Sequence, residues 1–277
     1  MKMRGAENPL VSVIVPTKNS SSTLKECLES VSGQTYDNIE IIVVDNYSND
    51  NTIEIAKYFT DKIFTMGPER SSQVNFGAKE ASGKYLYRVD SDFYLDSEIV
   101  KEAVSNAEAN NYVAILVHNT SDSKVSFWSQ VRKFERDMYS DDSTNVAVRF
   151  ILKEAFDSVG GFDEELVAGE DYDLHNRIIK KYDNKIGRIS PKEIHLGESK
   201  SLIEIAQKHY YYGKSIDSFL KKNRTRGLKQ ISPFRIAYFK NFRKFIRHPH
   251  LTMGFFIYQV VRYGSTALGI LAHKSRK

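Results

Sequence analysis

Short apolar runs and amphipathic segments alternate along the first half of the chain. The apolar runs have the length of strands and occupy residues 10–15, 39–44, 85–89 and 112–117. Between them, apolar side chains recur at helical spacing, as at Leu24, Cys27, Leu28 and Val31. Because strands that alternate with helices form βαβ units, the pattern predicts an α/β fold with a doubly wound sheet.

Two carboxylates follow the third apolar run. Asp90 and Asp92 flank Ser91 at the point where the strand would end, and open α/β sheets bind ligands at the carboxyl ends of their strands. Such a pair can hold a hard divalent cation, which usually also binds substrate phosphates. A polar turn is the alternative, since Asp and Ser are common turn residues. The sequence has no P-loop and no glycine-rich dinucleotide fingerprint, which argues against an ATPase or a Rossmann dehydrogenase.

A second acidic cluster, Glu170-Asp171, follows Gly169 and precedes a segment with apolar residues at helical spacing. Asp171 would then lie near a helix N-terminus, where the helix dipole favours the ionised carboxylate by about 0.3–1 kcal/mol. A carboxylate of this kind can act as a general base toward a hydroxyl group. A simple helix cap is the alternative.

Motifs in the same order resemble those of family 2 glycosyltransferases with the GT-A fold. They are VSVIVPTKN at residues 11–19, IIVVDN at 41–46, DSD at 90–92, and GGFD followed by GEDYDL between 160 and 174. The resemblance covers residues 8–200 or so. It implies a doubly wound mixed sheet flanked by helices.

The resemblance also implies a nucleotide site. The pocket for the nucleobase and the ribose would be lined by Pro16, Thr17, Asn19 and Asp45. Arg70 and Asn75 belong to a segment that resembles the family's segment beside the nucleotide, and Asp90 and Ser91 would bind the same ligand.

The implied reaction is the inverting transfer of one sugar from a nucleotide diphosphate sugar. Mn²⁺ or Mg²⁺ held by Asp92, with help from Asp90, would stabilise the charge that develops on the departing diphosphate. Asp171 would be the general base for the acceptor hydroxyl. The Gln-x-x-Arg-Trp signature of processive members is absent, and the single tryptophan, Trp128, lies elsewhere. We therefore expect one sugar per reaction rather than a polymer.

His195 is a further candidate for the metal shell. It follows a predicted strand at residues 185–189 and a predicted turn at Pro191. Imidazole can complete a metal shell or contact a diphosphate. A partly buried structural histidine is the alternative.

Charge is distributed unevenly along the chain. Residues 200–277 hold 17 Lys and Arg against 2 Asp and Glu, whereas the preceding residues hold 23 basic and 33 acidic side chains. We therefore predict a catalytic domain at residues 1–198 and a basic helical region at residues 199–277. A basic tail on an acidic body suggests an anionic partner, either a membrane or a nucleic acid. One cysteine in 277 residues fits a reducing compartment.

The basic tail also contains an aromatic and an apolar segment. Phe234, Tyr238, Phe242 and Phe245 recur on one predicted helical face, as an interfacial amphipathic helix requires. Residues 251–272 would reach about 33 Å as a helix. Arg262 near the middle of that helix would cost about 2.5–3.5 kcal/mol on insertion into a bilayer.

A polar stripe formed by Thr252, Gln259, Arg262 and Thr266 favours a helix that lies in the membrane interface or packs on another helix. A single span stays open as an alternative, and so does a soluble helical cap. Because the segment is apolar, we expect an anionic membrane surface and no nucleic acid. The expected location is the cytoplasmic side of the cell membrane, and the expected acceptor is a lipid-linked phosphate or oligosaccharide.

Two other functions are compatible with parts of the pattern. A sugar-phosphate nucleotidyltransferase shares the doubly wound sheet and the acidic metal ligands, but residues 16–20 lack the expected glycine-rich basic loop. A non-catalytic membrane adaptor could retain the fold, although the intact acidic residues in both clusters speak against it.

Overall fold

A computed structural model of the chain describes residues 8–140, 142, 146–183 and 185–274. Both predicted parts, 1–198 and 199–277, include terminal residues outside these ranges. The chain divides into two compact units. The first comprises Met1–Val117, Val148–Gly161 and Ile178–Pro191, and the second comprises His118–Ala147, Phe162–Arg177 and Lys192–Lys277. The functional boundary at residue 198 stays a prediction.

The first unit contains most of a mixed, eight-stranded sheet. Its strands are β1 (Val11–Thr17), β2 (Ile39–Asp45), β3 (Ile63–Thr65), β4 (Tyr85–Arg88), β5 (Phe93–Leu95), β6 (Ala114–Ser121), β7 (Val148–Leu152) and β8 (Ile186–His195). They follow the order β3-β2-β1-β4-β7-β6-β8-β5. β1 is parallel to β2 and β4, whereas β7 is antiparallel to β4 and β6. The architecture agrees with the predicted doubly wound mixed sheet.

Four strands differ from the sequence-based expectation. The sequence pattern does not predict the three-residue strands β3 and β5, nor β7, which pairs between β4 and β6. β8 continues through Pro191 to His195, so the turn predicted at Pro191 is wrong. Proline removes one hydrogen-bond donor but is tolerated along a sheet edge, and the outer neighbour of β8 is the three-residue strand β5.

Helices α1 (Leu24–Ser32), α2 (Thr52–Ala56), α3 (Arg70–Glu80), α4 (Ile99–Asn110) and α6 (Lys153–Ser158) also belong to the first unit. Apolar residues of α1, α2 and α4 form one buried cluster with the sheet. α3 approaches the sheet closely at Gly77, where a Cβ would lie 2.6 Å from Ile14 Cγ2. This contact fixes α3, which begins at Arg70, against β1.

The second unit is mainly helical. It contains α5 (Phe127–Arg136), the start of α7 (Glu170–Tyr182), α8 (Leu202–Gly213), α9 (Ile216–Lys222), α10 (Arg224–Ile231), α11 (Ile236–Lys240), α12 (Phe242–Arg247) and α13 (Pro249–Lys274). A buried cluster that includes Val131, Phe134 and Ile205 joins α5 and α8 to Phe255 of α13. The backbones of α8 and α13 approach each other closely at Gly213 and Gly269. A Cβ on Gly213 would overlap the Thr266 carbonyl oxygen, so only glycine fits there.

The structure corrects the aromatic face that the sequence predicts for the tail. Residues 234–247 include two short helices instead of one, and the Asn241 side chain at the break donates to the Ala237 carbonyl over 2.9 Å. Tyr238 and Phe245 point inward, with ring centroids 5.0 and 5.1 Å from that of Phe255. No helix among the described residues is long and apolar enough to cross a membrane, and this includes α13, for which the sequence left a span open.

Candidate active site

The carboxyl ends of β1 and β2 are joined by a buried hydrogen-bond network. Thr17 and Asp45 are register partners, and Thr17 Oγ1 donates to Asp45 Oδ1 over 2.8 Å. Asp45 also accepts from the Ser48 amide at 2.7 Å and from the Ser48 hydroxyl at 2.5 Å. Pro16 is buried beside this network at the end of β1. The network fixes the Asp45 carboxylate and the loop that follows it.

Asn19 connects the loops that follow β1 and β2. Its φ of 49° lies in the left-handed region, which asparagine adopts more readily than most residues. The Asn19 amide donates to Ser48 Oγ over 2.7 Å, and Asn19 Oδ1 accepts from the Asn49 amide over 3.0 Å. The structure therefore brings together Pro16, Thr17, Asn19 and Asp45, the predicted nucleoside-binding residues.

Gln73 is a positioning residue that the sequence reasoning missed. Its side-chain amide donates to the Thr17 carbonyl at 2.9 Å and to the Val44 carbonyl at 2.6 Å. These bonds tie α3 to the ends of β1 and β2, and they set the direction of the helix that carries Arg70 and Asn75. Its place in the sequence, between Arg70 and Asn75 in the segment that resembles the family's nucleotide-binding segment, is the signal that could have identified it.

Asn75 lies against the glycine pair that precedes the second acidic cluster. A Cβ on Gly161 would lie 2.6 Å from Asn75 Oδ1, and Gly161 has a φ of 66°. Both the left-handed backbone and the close approach require glycine here. The space for the Asn75 side chain thus exists because Gly161, eighty-six positions later in the sequence, has no side chain.

Asp90 is enclosed by arginines at the end of β4. Arg88 Nε and Nη2 donate to its two oxygens at 3.2 and 3.0 Å, and Arg149 Nη2 donates to Oδ2 at 3.2 Å. Arg70 Nη1 lies 3.7 Å from Oδ1. Burial alone would raise the pKa of Asp90, but the charges of Arg88, Arg149 and Arg70 hold it well below its usual range. Asp90 is therefore ionised and rigidly oriented.

The loop after Asp90 is held to the start of the chain's first helix. Ser91 Oγ lies 2.8 Å from Ser20 Oγ, and the Cys27 thiol donates to the Asp90 carbonyl over 3.6 Å. Asp92 follows directly and is only partly buried, before β5 begins at Phe93. Ser91 thus has a structural contact, and its neighbour Asp92 lies on an anchored segment.

The metal prediction can be compared with this donor set. Among the residues that the structure describes, no three His, Cys, Asp or Glu side chains are close enough to form a metal cluster. Mg²⁺ usually binds through one or two carboxylates and takes its other ligands from water and substrate phosphates. Asp92, an anchored and partly exposed carboxylate beside the ionised Asp90, fits a cation of that kind.

His195 lies in the second unit and ends β8. Its Nδ1 is 3.4 Å from Glu198 Oε1, which also accepts from Ser121 Oγ at 2.6 Å. Burial would raise the pKa of Glu198, but Arg136 and His195 lower it to about 2. A carboxylate beside one ring nitrogen is the partner that commonly orients a metal-binding histidine. The role of His195 as a ligand stays a prediction.

Asp171 also lies in the second unit, in the first turn of α7. Gly169 before it has a φ of 80°, and a Cβ there would lie 2.7 Å from the ring of the fully buried Phe219. Asp173 is buried and bound by Arg177 Nε and Asn223 Nδ2, each at 2.7 Å. Glu170 is buried as well, whereas Asp171 is partly exposed. Of the three carboxylates in this turn, Asp171 is the one that can reach a ligand.

Comparison with known proteins identifies the family of the chain. The sequence model described as "Glycosyl transferase family 2" matches residues 12–165, which include every first-unit site residue described above. The chain belongs to glycosyl transferase family 2. The family predicted from the sequence motifs is therefore confirmed.

Curated relatives agree with the family. An uncharacterized glycosyltransferase of Rickettsia typhi is 28% identical over 191 residues, which cover 62% of this chain and 59% of the relative. One from Rickettsia prowazekii is 30% identical over 185 residues, with coverage of 60% and 58%. The chain thus spans less than two thirds of the length of these relatives. Glycosyltransferase GlyG of Streptococcus pneumoniae is 40% identical over 100 residues, with coverage of 34% and 32%.

Solved structures confirm the predicted GT-A fold. The mannosyltransferase PcManGT of Pyrobaculum calidifontis, in complex with GDP-Man and Mn²⁺, superposes with a TM-score of 0.61 at 14% identity. That match covers 98% of this chain and 77% of the other. TarS 1-349 of S. aureus in complex with UDP-GlcNAc gives a TM-score of 0.53 at 19% identity, with coverage of 96% and 91%.

Proposed function

We propose that this chain transfers a single sugar from a nucleotide diphosphate sugar to an acceptor hydroxyl, with inversion at the anomeric carbon. The observation that carries the proposal is the polar cluster at the carboxyl ends of β1, β2 and β4 in a family 2 chain. Solved relatives of the same fold include complexes with UDP-GlcNAc and with GDP-Man and Mn²⁺. The family assignment also argues against a nucleotidyltransferase.

Different first-unit residues would bind different parts of the nucleotide sugar donor. Asp45, fixed by Thr17 and Ser48, would accept hydrogen bonds from the nucleoside, beside Pro16 and Asn19. Arg70 has a side chain that is 41% exposed while it also faces Asp90, so it can reach the diphosphate. Ser91 and Asn75 would complete the same pocket.

A divalent cation fits the exposed end of this cluster. Asp92 would hold Mn²⁺ or Mg²⁺ with help from Asp90, and the other ligands would come from water and substrate phosphates. His195, the third predicted ligand, lies in the second unit and does not form a three-residue cluster with these carboxylates among the described residues. When bound, such a cation stabilises negative charge on a departing diphosphate. The arginines around Asp90 would keep the acidic loop in position for that role.

Asp171 would take the proton from the acceptor hydroxyl. Its place in the first turn of α7 favours the ionised form, because the helix dipole stabilises an anion there. Gly169 and Phe219 would hold the loop in a fixed conformation. Direct attack by the activated hydroxyl on the face opposite the diphosphate produces inversion.

We further propose a lipid-linked phosphate or oligosaccharide as the acceptor. Support comes from the exposed apolar and basic surface of the C-terminal helices. Since the Gln-x-x-Arg-Trp signature is absent, each reaction would add one sugar.

The donor site can be tested by calorimetric titration of UDP and GDP, each with and without Mn²⁺. Mn²⁺ should increase the affinity of wild-type protein for one of the two nucleotides by tenfold or more, and Asp92→Asn should abolish that increase. Asp61→Asn, at an exposed position in the same unit, is the matched control. If Asp92→Asn and wild type respond equally to Mn²⁺, Asp92 is not a metal ligand.

A further inference from the structure

The C-terminal helices carry most of the exposed large hydrophobic side chains among the described residues. Eleven of the 18 large hydrophobic side chains that are exposed lie between Phe234 and Leu271. Phe239 of α11 is 71% exposed, Ile246 of α12 is 72% exposed and Val260 of α13 is 73% exposed. Exposed apolar side chains that gather in one part of a structure are typical of an interaction site, whereas singly scattered ones are not.

α13 has its polar side toward the protein and much of its apolar side toward the outside. Gln259 Nε2 and Arg262 Nη1 donate to the buried Glu135 Oε1 of α5 over 3.2 and 3.1 Å. Thr252 Oγ1 donates to the Phe245 carbonyl over 2.7 Å, while Met253 and Val260 are exposed. A surface helix of a water-exposed protein shows the opposite arrangement, with its polar residues in solvent.

Glu135 holds this arrangement together. Its Oε1 also accepts from Tyr139 at 2.7 Å and from Tyr238 of α11 at 2.9 Å, and Arg132 pairs with its Oε2. Burial would raise the pKa of Glu135, but the charges of Arg132, Arg262 and Arg235 hold it well below its usual range. The outward apolar face is therefore fixed by a buried ionic network.

The charge of this surface has one sign. Residues 218–277 contain no Asp or Glu, and the exposed cations Lys240, Arg243 and Arg247 alternate with the exposed Phe239, Phe242 and Ile246. Aliphatic side chains such as Ile246 and Val260 offer no stacking surface for nucleic-acid bases. Apolar side chains between cations match a bilayer with anionic headgroups, where the cations meet phosphates and the apolar groups enter the acyl boundary.

We propose that α11, α12 and the outer face of α13 form a monotopic docking surface for an anionic lipid bilayer, on the cytoplasmic side of the membrane. The side chains that enter the interface are Phe239, Phe242, Ile246, Met253 and Val260, and not Tyr238 or Phe245. The inference rests on the proposed function in one respect: a bilayer-bound enzyme would have access to a lipid-linked acceptor.

Vesicle flotation of the full chain tests the surface independently of catalysis. Vesicles of phosphatidylcholine mixed with phosphatidylglycerol are compared with vesicles of phosphatidylcholine alone, at low and high salt. Wild type should float with the mixed vesicles at low salt and be partly released at high salt. Because each cation near such a surface contributes about fivefold to binding, Arg243→Gln/Arg247→Gln should weaken binding to the mixed vesicles about 25-fold. This charge variant should leave binding to neutral vesicles unchanged.

The apolar arm uses Phe239→Ser/Phe242→Ser/Ile246→Ser, which should lose binding to both kinds of vesicle. The control is Tyr58→Ser, which removes an exposed aromatic side chain in the first unit. Circular dichroism and UDP or GDP titration verify that each variant is folded. Wild type that stays unbound at low salt, or an apolar variant that floats like wild type, overturns the proposal. So does a concentration-dependent dimer in sedimentation that the apolar substitutions abolish. Failure of nucleotide binding with intact flotation would count against the proposed function alone.

Discussion

Glu135→Gln should release the C-terminal helices from α5. Glutamine keeps the shape of the side chain, so the bonds from Tyr139, Tyr238 and Gln259 to Oε1 can persist. It removes the single negative charge that Arg132 and Arg262 contact directly. It also turns an amide donor toward the guanidinium of Arg132, which is itself a donor.

The magnitude follows from burial. The Glu135 side chain is 1% exposed, and those of Arg132 and Arg262 are 18% and 20% exposed. Removing one partner of a buried ion pair usually costs about 3–5 kcal/mol, because the remaining charge is left uncompensated. We expect a loss in that range from the free energy of unfolding of the second unit.

Urea unfolding followed by the fluorescence of Trp128 measures this loss. Trp128 is the only tryptophan in the sequence and lies on α5, next to the cluster that joins α5 to α13. Glu154→Gln, at an exposed position, is the control. A loss below about 1 kcal/mol, the range of exposed pairs, would refute the view that Glu135 fixes these helices.

The same residue predicts a pH dependence. A carboxyl whose pKa is lowered by folding stabilises the native state above its unfolded pKa of about 4.3, and this contribution is lost as pH falls toward the folded pKa. Wild type should therefore lose stability below about pH 4, and Glu135→Gln should lose less over that interval. Parallel acid-unfolding curves for the two proteins would contradict the assignment.

Two further substitutions test the acidic loop of the second unit. Asp171→Asn should lower turnover about 10²–10⁴-fold, because it removes the proposed general base, and it should leave nucleotide affinity unchanged. Asp61→Asn is the control, and a decrease below tenfold would exclude Asp171 as the base. Gly169→Ala should destabilise the protein more than Gly160→Ala in thermal unfolding. Both glycines have a φ of 80°, but only a Cβ on Gly169 meets Phe219; equal shifts would show that this contact is unimportant.

The parts of the fold that could be predicted are those with local signals. β1, β2 and β4 are apolar runs, and each is followed by polar residues that the structure places at the carboxyl ends of parallel strands. β7 has no such signal, because Arg149 interrupts its apolar pattern. That arginine is buried. It donates to Asp90, which follows the neighbouring strand β4, and its guanidinium lies 4.8 Å from the ring centroid of Phe93.

In the candidate site, the residues that belong to sequence motifs could be predicted. The side chains that hold them through hydrogen bonds could not. Thr17 and Asp45 end apolar strands and Asp90 follows one, so their positions could be predicted from the apolar runs. The contacts that orient them involve Gln73, Arg88 and Arg149, and two of these lie dozens of residues away in the sequence. Pairing across such separations is set by the sheet order, which the pattern of strands and helices does not specify.

The polar stripe of α13 shows how a distant partner decides between two interpretations of one pattern. From the sequence, a stripe that contains Gln259 and Arg262 fits a helix lying in the membrane interface as well as a helix packed on another. The stripe packs on α5, because Glu135, 127 positions before Arg262, is buried and ionised beneath it. The packed helix then exposes apolar residues instead of polar ones. Packing on the protein and docking on a bilayer are thus compatible, since they use opposite faces of α13.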